Sequence, residues 1–198
     1  MFSIRMVTWR TFVSASAMTL VLAGCTRTNA SDNKRSGAEP TKPSLEIRVF
    51  SAKARGYIDL ETIEKSDREW KRELTPLQFY VTREGGTEPA FTGNLWSTFS
   101  TGVYRCACCR NDLFSSDAKY ESGTGWPSFF QPIAKENVRI AVDRSNFMVR
   151  EEVLCARCGA HLGHIFKDGP QPTGLRYCIN SAALKFIHSS NLSNQSVR

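Results

Sequence analysis

The chain has 198 residues, enough for one ordinary domain with appendages, and its 41% apolar and 23% charged composition excludes both a wholly disordered chain and a polytopic membrane protein. The formal charge of +7 does not indicate a nucleic-acid binder. Arg5 and Arg10 fall in a segment expected to be removed, and Arg27, Lys34, Arg35 and Lys42 form no stripe interleaved with aromatics.

Met1 to Gly24 read as a secretion signal, with Arg5 and Arg10 at the positive end and an uncharged run from Thr11 to Ala23. That run is shorter than the roughly 20 apolar residues a spanning helix needs. It ends in Leu22-Ala23-Gly24-Cys25, which resembles a bacterial lipobox and predicts lipidation of Cys25; the plainer alternative is a cleaved signal beside an incidental cysteine. Residues 25–44 carry no aromatic and no aliphatic side chain larger than alanine, with Pro40 and Pro43 near the end, and are expected to act as a tether. The folded domain is expected over 45–188 and a polar tail over 189–198.

Leu45, Ile47 and Val49 alternate with charged residues and predict a half-buried strand. Ser66-Asp67-Arg68-Glu69 fits a capping box that starts a helix. Thr75-Pro76-Leu77-Gln78 starts a second, with proline at the favoured first position and Gly85-Gly86 as its stop. Beyond Gly102, strands are predicted at Val103–Cys106, Val138–Asp143, Phe147–Cys155, Leu162–Phe166, Leu175–Ile179 and Ala183–Ile187, with a hairpin loop at Asp143-Arg144-Ser145-Asn146. Helices followed by many strands argue for an α+β domain, mainly antiparallel β.

Cys106-x-x-Cys109 and Cys155-x-x-Cys158 are matched pairs at strand ends, the usual construction of a closed zinc site with four cysteine ligands. With four thiolates the metal keeps no open position, so its expected role is structural. Disulfides or a thioredoxin-type pair are the alternatives, but a redox pair sits at a helix N-terminus and neither of these precedes a helical pattern.

Cys178 lies in Leu175-Arg176-Tyr177-Cys178-Ile179-Asn180-Ser181, where a strand's period of two puts Arg176, Cys178 and Asn180 on one face. A neighbouring cation is expected to lower the thiol's pKa. His161 and His164 follow the second cysteine pair, with Gly163 between them as a candidate bulge that turns both rings to one side; the blander readings are satisfied buried histidines or weak metal ligands. Gly123 to Phe130 form a glycine-punctuated loop whose Trp126 and Phe129 are either core or an apolar wall for a methyl group.

Together, Leu74 to Arg83, Gly125-Trp126-Pro127-Ser128-Phe129, both cysteine pairs, His161-Leu162-Gly163-His164 and Gly174 to Asn180 resemble, in order, the B-type methionine sulfoxide reductases. The resemblance spans about Ile47 to Ile187. It implies two antiparallel sheets with N-terminal helices, a structural zinc, and Cys178 as a nucleophile that attacks methionine-R-sulfoxide and becomes a sulfenic acid. His161 and His164 would supply the proton, Asn180 and Arg176 would orient and polarise, and Trp126 with Phe129 would hold the substrate. Many such proteins carry a resolving cysteine where this chain has Thr124. Cys108 is the only spare cysteine in the domain, so it or an external thiol donor, thioredoxin-like or otherwise, must restore Cys178. Competing readings are a zinc-ribbon binding module and a general thiol oxidoreductase that uses the pairs themselves. A monomer is expected, exported and anchored to a membrane at the periplasmic or cell-surface side.

Overall fold

The computed structural model describes residues 45–145 and 148–194. The signal, Cys25 and the tether lie outside the described residues, as do Asn146 of the hairpin loop and Phe147, the expected start of the next strand.

The chain opens with an antiparallel hairpin, β1 (Glu46–Ser51) and β2 (Gly56–Glu61), paired from Glu46↔Glu61 to Ser51↔Gly56. The first strand is the one the alternation predicts; its partner is an addition to that reading. The Asn137 side chain binds β1 as a neighbouring strand would, Phe50 N–H donating to its Oδ1 and its Nδ2 to the Phe50 carbonyl, both at 2.8 Å.

Helices α1 (Asp67–Glu73) and α2 (Pro76–Glu84) follow. Glu69 reaches back to cap α1, accepting from the Ser66 N–H at 2.8 Å and the Ser66 hydroxyl at 2.6 Å. The box of α2 is reciprocal, with Gln78 N–H to Thr75 Oγ1 at 3.2 Å and Thr75 N–H to Gln78 Oε1 at 3.1 Å, and Gly85 closes the helix at φ +70°. Trp70, Phe79 and Val81 bury the inner faces.

The remaining strands are β3 (Gly102–Cys106), β4 (Asp112–Ser115), β5 (Lys119–Tyr120), β6 (Ser128–Phe129), β7 (Val138–Asp143), β8 (Arg150–Cys155), β9 (His161–Phe166), β10 (Arg176–Ile179) and β11 (Leu184–His188). They form a six-stranded sheet in the order β5-β6-β10-β9-β8-β7 and a three-stranded sheet in the order β11-β3-β4, all paired antiparallel. These are the two expected sheets, and the β1–β2 hairpin adds a small third one. Aromatic packing ties them together: Phe114 of β4 stacks on Phe129 of β6 at 4.4 Å, and Tyr104 of β3 meets Phe129 edge-on at 5.0 Å. Strand β8 starts at Arg150, later than the predicted Phe147, and the expected polar tail begins as a 3-10 turn over Ser189–Asn194.

Candidate active site

Two clusters carry cysteine chemistry. In the first, Cys106 and Cys109 lie on the turn leaving β3, and Cys155 and Cys158 on the turn leaving β8. Each turn is closed by its own backbone: Arg110 N–H donates to the Cys106 carbonyl and Gly159 N–H to the Cys155 carbonyl, both at 2.9 Å. Gly159 adopts φ +65°, a conformation that favours glycine. The four sulfurs are buried and lie within 4.8 Å of one another, with Cys106–Cys158 at 3.7 Å and Cys109–Cys155 at 3.5 Å. A disulfide needs about 2.05 Å. A tetrahedron of thiolates about 2.3 Å from a central zinc puts its sulfurs close to 3.8 Å apart. The donor set therefore fits zinc, and four buried sulfurs at this spacing could not all ionise without a cation between them.

Residues the sequence did not single out support this cluster. Asn111 Nδ2 donates to the Cys155 sulfur at 3.7 Å, Arg157 Nη1 to the Cys109 carbonyl at 3.1 Å, and Arg83 Nη1 to the Cys158 carbonyl at 3.0 Å. Through Arg83 the second helix is fastened to the turn that carries Cys158. Cys108 lies between Cys106 and Cys109 in the chain, and its thiol stands 3.3 Å from Thr82 Oγ1 on α2.

The second cluster surrounds Cys178. A cavity of about 150 Å³ is lined by Thr87, Trp126, Arg150, Gly163, His164, Phe166, Cys178 and Asn180. Cys178 sits mid-strand on β10, between Ser128 of β6 and His164 of β9. The crossing is close, because a Cβ on Gly163 would stand 2.0 Å from the Cys178 carbonyl oxygen, so no larger residue fits without moving β10. A register shift pairs Val153 with Gly163 and Leu154 with His161, which brings the His161 and His164 rings edge-to-face at 5.3 Å.

Each histidine has its own carboxylate. His164 Nε2 is 2.8 Å from Asp143 Oδ2, which also accepts from Arg150 at 2.7 Å, and His161 Nδ1 is 2.6 Å from Glu152 Oε1. Burial pushes the His164 pKa down despite Asp143, so the ring is neutral at neutral pH; with Nε2–H given to Asp143, Nδ1 remains a base. Both histidines are buried, and His164 is the one that lines the cavity.

Arg176 does not act on Cys178 alone. It holds Asp168 through two bonds of 2.8 Å and lies over the Phe166 ring at 4.3 Å. Burial pushes the Cys178 thiol up, and the opposing pull of Arg176 and of the Thr124 hydroxyl does not reverse it. The expectation of a lowered thiol pKa is corrected: desolvation outweighs a cation already shared with a carboxylate. Phe129 is likewise corrected. It is fully buried in the inter-sheet core, pointing away from the face of β6 that carries Ser128, and Phe166 lines the cavity with Trp126.

Asn180 is fixed by three bonds: its N–H and its Nδ2 both donate to the Leu162 carbonyl, at 2.9 and 3.0 Å, and its Oδ1 accepts from Glu88 N–H at 3.0 Å. The Trp126 indole donates to the Glu88 carbonyl at 3.0 Å.

The profile described as SelR domain matches residues 74–188, which include both clusters. The chain belongs to the SelR family. Among similar proteins, the peptide methionine sulfoxide reductase MsrB of Methanosarcina barkeri is 58% identical over 126 residues, 64% of this chain and 89% of that one. The MsrB of Acinetobacter baumannii is 58% identical over 123 residues, covering 62% and 88%, and that of Methanosarcina mazei 58% identical over 124 residues, covering 63% and 89%. The SelR domain thus contains the two cysteine pairs, the histidines and Cys178, while β1 and β2 precede its matched range.

Proposed function

We propose that the chain reduces methionine-R-sulfoxide in oxidised proteins to methionine, with Cys178 as nucleophile, as an exported lipoprotein. The observation that carries this reading is the placement of Cys178 in a small cavity with a neutral histidine, an oriented amide and a tryptophan. His164 takes the thiol proton on Nδ1 and delivers it to the sulfoxide oxygen, which makes the sulfoxide sulfur electrophilic. The Cys178 sulfur attacks that sulfur, the protonated oxygen passes to Cys178, and methionine leaves as the thioether. Thiol plus sulfoxide thereby become sulfenic acid plus thioether, and the atoms balance. Asn180 donates to the oxygen, and Trp126 and Phe166 enclose the methyl group.

Thr124 cannot form a disulfide, and Cys108 is held at the metal knuckles. An external thiol therefore attacks the sulfenic sulfur and releases water, and the donor's second thiol restores Cys178 as the donor becomes a disulfide. Zinc bound by Cys106, Cys109, Cys155 and Cys158 supplies only a clip between the turns after β3 and β8. The lipobox-like Leu22 to Cys25 and the featureless residues 26–44 support export and anchoring. The test is turnover of each sulfoxide epimer with dithiothreitol by wild type and Cys178→Ser. Reduction of the R epimer by wild type alone is expected; an active serine variant overturns the assignment. Metabolic lipid labelling that is lost in Cys25→Ser checks the anchor.

A further inference from the structure

Asn180 and Trp126 are positioned by a residue outside both of their loops. Glu88, in the connection between α2 and β3, is 2% exposed, and its backbone binds two cavity-lining side chains while its carboxylate binds the turn that follows Asn180. Its N–H donates to Asn180 Oδ1 at 3.0 Å and its carbonyl accepts from the Trp126 indole at 3.0 Å. Its carboxylate accepts from the N–H groups of Ser181 at 2.6 Å and Ala182 at 2.8 Å. Those two N–H groups open the 3-10 turn Ser181–Ala183, whose N-cap is Asn180 itself, and the Asn180 side chain makes no cap bond. Glu88 supplies the missing cap from about ninety residues away in sequence, as the separations of 92 to 94 positions show. Asn180 is thereby freed for the cavity. Its Oδ1 is occupied by Glu88 and one Nδ2 hydrogen by the Leu162 carbonyl, which leaves the second Nδ2 hydrogen as a donor on an amide that lines the cavity. The same connection is held to the tryptophan loop by Phe91 N–H to the Gly125 carbonyl at 2.9 Å.

We infer that Glu88 is a positioning residue of the reaction: its carboxylate fixes the backbone after Cys178 so that the Asn180 amide meets the sulfoxide oxygen with its donor side. This rests on the reading of Cys178 and Asn180 as the reducing site. Two backbone donors need two acceptor oxygens, which a carboxylate has and a glutamine lacks, because its amide nitrogen would confront one N–H with another.

The test is a double-mutant cycle of Glu88→Gln and Asn180→Ala in the zinc-loaded protein, with kcat and KM measured for the R epimer. Glu88→Gln is expected to lower kcat about tenfold with KM within about twofold of wild type, because misplacing a transition-state contact costs rate rather than ground-state affinity. In the Asn180→Ala background the same change is expected to cost less than about twofold, since the residue through which it acts is gone. An unchanged kcat in Glu88→Gln, or the same tenfold loss in both backgrounds, overturns the inference. If Glu88→Gln does not fold, Glu88→Asp, which keeps the charge and shortens the reach, enters the cycle with the same criteria. Side-chain amide NMR separates this inference from the functional reading. If wild type reduces no sulfoxide the reading fails, yet Glu88→Gln must still shift the Asn180 amide and Trp126 indole signals, and unmoved signals refute the positioning role.

Discussion

Cys106 and Cys178 carry the same thiol and lie on adjacent parts of one β-rich domain, yet their surroundings give them opposite tasks. Around Cys106 three further sulfurs complete a cluster with cross-pairs at 3.5 and 3.7 Å, and backbone turns with Asn111, Arg157 and Arg83 hold its members in place. Around Cys178 there is a cavity instead, with hydrogen-bonding groups held around an open space. Reactivity here comes from what is withheld. The four-cysteine end is buried, whereas at Cys178 burial keeps the thiol protonated in a cavity that His164 also lines.

Removing one metal ligand tests this contrast most severely. Cys155→Ser is expected to release zinc and abolish cooperative melting, since a structural thiolate site contributes about 10 kcal/mol or more, comparable to a domain's whole stability. Metal analysis with calorimetry checks it. Cys178→Ser should do the reverse, keeping zinc and the melting temperature while activity falls about 10³-fold or more, as for loss of a nucleophile. Phe129→Ala separates core from cavity: it should cost about 3–5 kcal/mol in urea titration with KM unchanged in the folded protein, whereas a substrate-wall role would raise KM. Asp143→Asn should lower kcat about tenfold with melting preserved, by releasing the His164 tautomer.

The smallest effect is in pH. The proposed step uses the Cys178 proton, carried by His164 to the sulfoxide oxygen, so with the thiol raised above its ordinary value kcat/KM is expected to hold through neutral pH and to fall as pH rises through that pKa. Asp168 is one of the charges that raise Cys178, and it shares the cation of Arg176. Asp168→Asn should therefore move this limb to lower pH, and Arg176→Met to higher pH. Full pH profiles of the three proteins decide it.

The four-cysteine cluster and the cavity thiol are legible in the sequence because their signals are short-range: two Cys-x-x-Cys spacings, and a thiol two positions from an arginine and an asparagine. The strands β5 and β6, two residues each, are too short to show any periodicity. Phe129 cannot be assigned from sequence because the residue that stacks on it, Phe114, lies on a strand of the other sheet. For the pKa of Cys178 the sequence points in the wrong direction, because it shows the neighbouring cation and hides both the burial and the Asp168 that shares it. Glu88 and Asp143 give no local sign at all, since each acts on a residue reached only through the fold.

The central claim is that one cysteine reacts while the other five of the domain do not. Mixing the zinc-loaded protein with methionine-R-sulfoxide in the absence of any reductant, then trapping sulfenic acid with dimedone and mapping the adduct by mass spectrometry, tests it in one turnover. The account predicts about one methionine released per chain, the adduct on Cys178 alone, and zinc retained, since the nucleophile turns over once before it needs a thiol donor. Adduct on Cys108 or on any knuckle cysteine, or methionine release from a chain whose Cys178 stays unlabelled and reduced, would contradict it.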